Sequence, residues 1–176
     1  GFSAFAALKS DGSVVTWGAS DYGGDSSSVS SDLSSDVIDI YSTNRAFAAL
    51  KSDGSVVTWG DSSYGGDSSS VSSDLSSGVT QIFSCFSGFA ALKSDGSVVT
   101  WSGPVVDSSF VSAELSSGVV DIISTDYAFA ALKSNGSVVT WGEANYGSDS
   151  SSVSSALSSG VIQIFSNKYS FAAIIE

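Results

Sequence analysis

The sequence predicts an all-β chain: a β-propeller-type repeat array of about four three-stranded blades, each with a short helical turn. Three observations predict it. The stretch FAALKSDGSVVTWG at 47–60 is written four times with small changes. Its leading Phe recurs as Phe5, Phe47, Phe89, Phe129 and Phe171, at spacings of 42, 42, 40 and 42 residues. Within each copy two apolar runs of strand length flank a turn dipeptide. Neither face of the resulting hairpin is strongly polar, so the natural cover is the next copy of the unit.

The hairpin comes first in each unit. Asp53-Gly54 suits a tight type I′ turn, in which both central residues take φ > 0. The other copies carry Asp11-Gly12, Asp95-Gly96 and Asn135-Gly136, the last changing the letter while keeping the turn chemistry. That turn predicts Leu50 opposite Val57 and Ala48 opposite Trp59 on one face, with Ala49 opposite Thr58 and Lys51 opposite Val56 on the other. After the Trp-Gly comes a loop, DSSYGG at 61–66, and then DSSSVSSDL at 67–75. Val71 and Leu75 stand on one helical face, which predicts one or two helical turns. Asp67 or a following Ser can cap the start, and Gly78 can supply a left-handed exit, a place taken by Asp36 in the first unit.

A short apolar strand closes each unit: VIDI at 37–40, VTQI at 79–82, VVDI at 119–122 and VIQI at 161–164. A four-residue connection leads into the next hairpin. Three short strands covered on both faces make a propeller blade rather than a sandwich pair. The boundaries follow as units 1–36, 37–78, 79–118 and 119–160 with a partial unit 161–176, all in one repeat domain. The first unit lacks a preceding strand, and the chain finishes with one plus FAAIIE at 171–176. Such ends can close a ring on themselves or join one chain to the next. The third unit departs from the rest: WSGPVV at 101–106 replaces the Gly/Tyr/Gly-Gly loop, which reads as drift in a tolerant loop, the alternatives being a marked edge or a loop with a separate job.

Composition narrows the function. A hydrophobic fraction of 42% supports a core, and no apolar run approaches the length of a spanning helix. The net charge of −12 repels phosphate backbones and anionic lipid heads, so neither nucleic acid nor membrane is an expected partner. An acidic surface of this kind suits an extracellular or cell-surface setting. The chain opens on Gly1 with no initiating Met, which reads as a processed or excised piece. Cys85 is the only cysteine, so no internal disulfide forms. There is no histidine, which removes the commonest general base and metal ligand.

The segment ALKSDGSVVTWG, followed by YGG and a serine-rich SSGV before the next strand, resembles the regulator-of-chromosome-condensation repeat. Its short period is most similar to the β-lactamase inhibitory protein type II branch. The resemblance covers all four units and implies a propeller with three-stranded blades. Rings of this family have more blades than the four and a fraction here, which implies a fragment of a longer array or two chains sharing a ring. The family's His-containing connection has no counterpart, and nothing matches the guanine-exchange residues of the chromatin-binding members. In the inhibitor-like branch, loops on one face grip the target with prominent aromatics. The matching positions are the connection before each hairpin and the loop after each Trp-Gly.

Those positions give the candidate partner-binding set: Tyr22, Asn44, Arg45, Tyr64, Phe86, Asp126, Tyr127, Tyr146, Lys168 and Tyr169. Arg45 and Lys168 are the two cations outside the repeated Lys9, Lys51, Lys93 and Lys133, which read as solubility and edge protection beside the turns. The Trp set reads as packing between blades. Asp21, Asp25, Asp61, Asp67, Asp107 and Asp149 fit no calcium-loop spacing, so no metal or cofactor is expected. Without His, no activated serine of the usual kind can be assembled, and no catalysis is expected. The reading is a non-catalytic binding module of a larger secreted or cell-surface protein, contacting a protein or glycan. The rival is a subunit that assembles with copies of itself through its terminal strands.

Overall fold

A computed structural model of the chain describes residues 3–102 and 106–176. Five small antiparallel sheets follow one another. Blade one is β1 (Ala4–Leu8) with β2 (Val14–Gly18). Blade two is β3 (Val37–Ser42), β4 (Ala46–Lys51) and β5 (Val56–Gly60). Blade three is β6 (Val79–Ser84), β7 (Gly88–Lys93) and β8 (Val98–Ser102). Blade four is β9 (Val119–Ser124), β10 (Ala128–Lys133) and β11 (Val138–Gly142). Blade five is β12 (Val161–Ser166) with β13 (Phe171–Ile175). In each three-stranded blade the hairpin's first strand is central. The strands β3, β6, β9 and β12 neighbour one another from blade to blade, while the serine-rich turns pack on the outer strands β5, β8 and β11.

The hairpin turn differs from the expected one. Lys51 O accepts from Gly54 N at 2.9 Å and Lys51 N donates to Ser55 O at 2.9 Å. Gly54 alone is left-handed, at φ 79°, and Asp53 is not. This is a three-residue loop, a type I turn closed by a G1 bulge, rather than a two-residue type I′ turn. The extra loop residue slips the register by one. Phe47 is opposite Trp59, Ala48 opposite Thr58, Ala49 opposite Val57 and Leu50 opposite Val56. The Asp side chain explains the choice: Asp53 Oδ1 accepts from Ser55 N at 2.9 Å and from its hydroxyl at 2.7 Å, and Asn135 does the same in blade four.

The corrected register sorts each hairpin onto two faces. Ala49, Val57 and Trp59 pack toward blade one, with Leu33 and Val37. Ala46, Ala48 and Leu50 pack toward blade three, with Leu75, Phe89 and Trp101. Alanine at these places lets the sheets approach closely enough for the Trp rings to fill the gap. Phe5, Phe47, Phe89 and Phe129 each stack on the Trp of their own hairpin, with centroids 5.2–5.4 Å apart. The Trp59 indole N–H donates to Gly23 O at 3.0 Å and that of Trp101 to Gly65 O at 3.1 Å, so these two Trp latch their blades to the one before, whereas the indole nitrogen of Trp141 is buried without a partner among the described residues. At the first blade no other described residue covers this face as closely, and Trp17 is 51% exposed where Trp59 is 3%.

The helical segments are 3-10 turns, Ser69–Val71 being typical. Leu75 N donates to Val71 O at 3.1 Å, and Leu75 is buried against the next blade. Left-handed exits fall where expected, at Gly78 (φ 78°) and Asp36 (φ 67°). The repeated lysines do more than keep the turns soluble: Lys51 Nζ donates to Asp32 O at 3.0 Å and Lys93 Nζ to Asp74 O at 2.7 Å, tying each hairpin to the preceding unit's turn.

The third blade departs in a coordinated way. Ala46 faces Gly60 and Ala128 faces Gly142 across the hairpin, but here Gly88 faces Ser102. A Cβ on Gly60 would meet Ala46 Cα at 2.8 Å, and a Cβ on Gly88 would meet Ser102 Cβ at 2.4 Å. Only one member of the pair has room for a side chain, and this blade exchanges which one. The loop reading itself concerns Gly103, Pro104 and Val105, which lie outside the described residues.

Candidate functional site

The connections of blades two, four and five are each built around one polar side chain. Thr43 Oγ1 donates to Tyr64 O at 2.9 Å and accepts from Ala46 N at 3.1 Å. Thr125 Oγ1 donates to Tyr146 O at 3.0 Å and accepts from Ala128 N at 3.1 Å. Each Thr therefore fixes the connection to the Tyr loop of its own blade. Blade three has no loop Tyr, and Cys85 replaces the Thr there. Cys85 is buried and unpaired, and burial pushes its thiol up from the ordinary value. Asn167 plays the corresponding part in blade five, its Oδ1 accepting from Tyr169 N at 2.7 Å and Ser170 N at 2.9 Å.

The glycine after each loop Tyr makes the loop's position obligatory. Gly65 is left-handed, at φ 91°, and a Cβ there would meet the Phe89 ring at 2.7 Å. The loop thus lies directly over the next blade's Phe and carries Tyr64 to the blade boundary.

Successive connections are then hydrogen-bonded to one another across blades. Asn44 N donates to Phe86 O at 3.0 Å, Phe86 N to Asp126 O at 2.6 Å and Asp126 N to Lys168 O at 3.1 Å. This backbone ladder brings nine of the ten candidate side chains into one strip of ring and charge contacts. Arg45 lies between two rings, its guanidinium carbon 4.8 Å from the Tyr22 centroid and 4.9 Å from that of Tyr64. Tyr64 then meets Phe86 at 6.0 Å, Phe86 meets Tyr127 at 4.9 Å, Tyr127 meets Tyr146 at 4.7 Å and Tyr146 meets Tyr169 at 5.5 Å. Lys168 Nζ stands 5.4 Å from the Tyr169 centroid and 3.5 Å from Asp126 Oδ2. Asn44 joins through its backbone, with its side chain exposed.

The electrostatics follow from this packing. Arg45 also reaches Asp61 at 3.7 Å, a loop aspartate outside the candidate partner-binding set. The signal was available: Asp61 follows the Trp-Gly of the one blade whose connection carries an Arg. The Lys168 ammonium is held above its ordinary value first by Tyr169 and then by the Asp126 charge. Burial raises the Tyr127 phenol, with Tyr146 and Tyr64 adding to it. The strip therefore offers aromatic faces, phenol hydroxyls and charges of both signs, an inventory suited to holding a partner by stacking and hydrogen bonding.

The loop aspartates have their own work. Asp25, Asp67, Asp107 and Asp149 each accept from the backbone N–H two residues on, at 2.8–3.1 Å. Among the described residues no three His, Cys, Asp or Glu side chains cluster as a metal site would need. No helix among them is long and apolar enough to cross a membrane.

No protein-family profile matches the chain, and no curated protein matches it. Solved structures do. The ectodomain of the receptor kinase CR4 from Physcomitrella patens aligns over 99% of this chain and 47% of its own, at 14% identity and a TM-score of 0.59. Prp20p from Saccharomyces cerevisiae aligns over 100% of this chain and 49% of its own, at 17% identity and a TM-score of 0.57. This is the regulator-of-chromosome-condensation repeat fold. The CRINKLY WD40 ectodomain of the Arabidopsis thaliana receptor kinase ACR4 is similar over 80% of this chain and 46% of its own, at 17% identity and a TM-score of 0.50. The chain spans about half the length of the propellers it matches. Prp20p was described together with its binding to Gsp1p and histones, and again, as yeast RCC1, bound by Kap60.

Proposed function

We propose that the chain is a non-catalytic binding module of a larger secreted or cell-surface protein, gripping a protein partner through the aromatic strip. The observation that carries this reading is the run of rings from Tyr22 to Tyr169, which joins the repeated loop Tyr to the connections, where the units differ most. Repeats that otherwise copy one another vary where they meet a ligand rather than where they pack. The protein partners of Prp20p and the ectodomain setting of the CR4 and ACR4 propellers support the same reading. A grip by aromatic loops on one face is also what the likeness to the β-lactamase inhibitory protein type II branch implies. Tyrosine faces stack on sugars too, and a glycan is the alternative ligand on this strip.

The test is a screen of the purified chain against arrays of secreted proteins and of glycans, repeated with Tyr127→Ala and Tyr146→Ala. Each substitution is expected to weaken the captured ligand by about tenfold or more, the scale of losing an aromatic anchor. Ligands held equally well by both variants would overturn the reading. Assembly of copies through the terminal strands is a second reading, favoured by exposed Trp17 at one end and exposed Ile174 at the other. Sedimentation over a range of concentrations, with and without residues 171–176, separates the two.

A further inference from the structure

Between blades four and five lies a cavity of about 350 Å³, lined by Ala130, Val138, Val153, Leu157, Ile164, Phe171 and their neighbours. Its lining is recognisable one interface at a time. Between blades one and two the corresponding residues are Ala6, Val14, Val29, Leu33, Ile40 and Phe47, and there Trp59 and Val57 of the outer strand β5 fill the space between them. Blade five has no outer strand among the described residues: β13 pairs with β12 alone, which leaves one of its edges unpaired. Phe171 is correspondingly the one Phe of the repeat without a Trp stacked on it, and Phe5, Phe47, Phe89 and Phe129 all have theirs. Gly147 stands where Gly23 and Gly65 accept the indole N–H of a Trp.

We propose that the unpaired edge of β13 and this cavity form an acceptor site for an extended segment of the pattern Val-Val-Thr-Trp-Gly. The segment adds antiparallel to β13, with its Trp opposite Phe171 and its first Val opposite Ile174, the register of the other hairpins. Its Trp fills the cavity, stacks on Phe171 and donates its indole N–H to Gly147 O. Its second Val enters beside Ala173, as Val57 does beside Ala49. The site is continuous with the interface already formed between blades four and five, so the incoming strand extends a packed surface instead of creating one. Backbone hydrogen bonds supply the affinity common to any strand, and the aromatic socket supplies the preference for Trp at one position. The aromatic strip takes no part in this.

The probe is a fluorescein-labelled synthetic peptide with the sequence of residues 134–142, titrated into the chain and followed by anisotropy. Saturable one-to-one binding is expected. Replacing the peptide's Trp by Ala should weaken it by roughly thirtyfold, the scale of deleting a buried aromatic anchor. In the protein, Ala173→Leu should fill the socket and abolish binding, while Lys9→Ala, on the exposed hairpin turn of blade one, should leave it unchanged. Ala173 is exposed in the peptide-free chain, so the variant's thermal melt reports separately that it folds. If a second copy already occupies the site, sedimentation will show a dimer that the peptide dissociates. A peptide that binds equally well without its Trp, an Ala173→Leu variant that binds as well as the parent, an absence of saturable binding, or a dimer indifferent to the peptide would each overturn the proposal.

Discussion

The exchanged pair in blade three gives a quantitative handle on how closely the hairpin strands approach. Gly88 has ordinary strand geometry, so Gly88→Ala by itself would stabilise the fold by about 0.4–1 kcal/mol through the unfolded chain. The new Cβ, however, would meet Ser102 Cβ at 2.4 Å and Trp101 O at 3.2 Å. Carbon atoms in contact normally stand about 3.5–4.0 Å apart. Both Cβ atoms are fixed to the backbone, so no rotamer change relieves the overlap and the strands must part. Overpacking of this kind costs about 1–3 kcal/mol, which outweighs the gain. Ser102→Gly alone should cost about 0.5–1 kcal/mol in strand entropy, plus its 3.3 Å hydrogen bond to Val106 O. Made together, the two changes restore the Ala-Gly arrangement of blades two and four. The double variant should therefore lie about 1–2 kcal/mol above the sum of the singles. Urea unfolding of the four proteins measures this directly. Additivity within about 0.5 kcal/mol would refute the close-approach argument.

Other expectations follow from the connections and turns. Thr125→Val removes the bonds to Tyr146 O and from Ala128 N in a buried place, and should cost about 1–3 kcal/mol by thermal or urea unfolding, while loosening Tyr146 on the strip. Cys85 should resist a thiol reagent in native buffer and react at the rate of a free thiol once the chain is unfolded, because it is buried and its thiol is held protonated. Acid should destabilise the fold through the turn aspartates. Serine hydroxyl and backbone bonds hold Asp11, Asp53 and Asp95 below the usual carboxylate range. Their stabilisation is fully present above the unfolded value of about 3.9 and is lost as the pH falls through the lower folded values. Asn135 makes the same turn without a titrating group, so changing the three aspartates to Asn should flatten the acid limb of the melting-temperature profile.

The repeat, the three-stranded blade, the short helical turn and the left-handed exits could all be read from residue patterns, because each depends on local chemistry. The hairpin register could not be read correctly. Asp-Gly serves both a type I′ turn and a type I turn with a bulge, and the choice rests on where the Asp53 carboxylate finds donors, namely on Ser55. The candidate strip was legible as a set of connection and loop positions but not as a continuous surface. Its continuity comes from the cross-blade backbone bonds of Asn44, Phe86 and Asp126, which depend on how blades stack and carry no residue-type signature. The engagement of Lys168 with Asp126 was hidden for the same reason, since those residues lie a repeat apart and meet only after the sheets pack, whereas Arg45 and Asp61 flank one hairpin and are joined by its own pairing.

The central claim is that separate repeats pool the residues of their connections and Tyr loops into one aromatic surface. Solution NMR with selectively labelled aromatic rings tests it most directly. Cross-relaxation is expected from Phe86 to Tyr127 and from Tyr127 to Tyr146, rings 4.9 and 4.7 Å apart by centroid. Sharp, independent ring signals with no transfer between these three residues would contradict it.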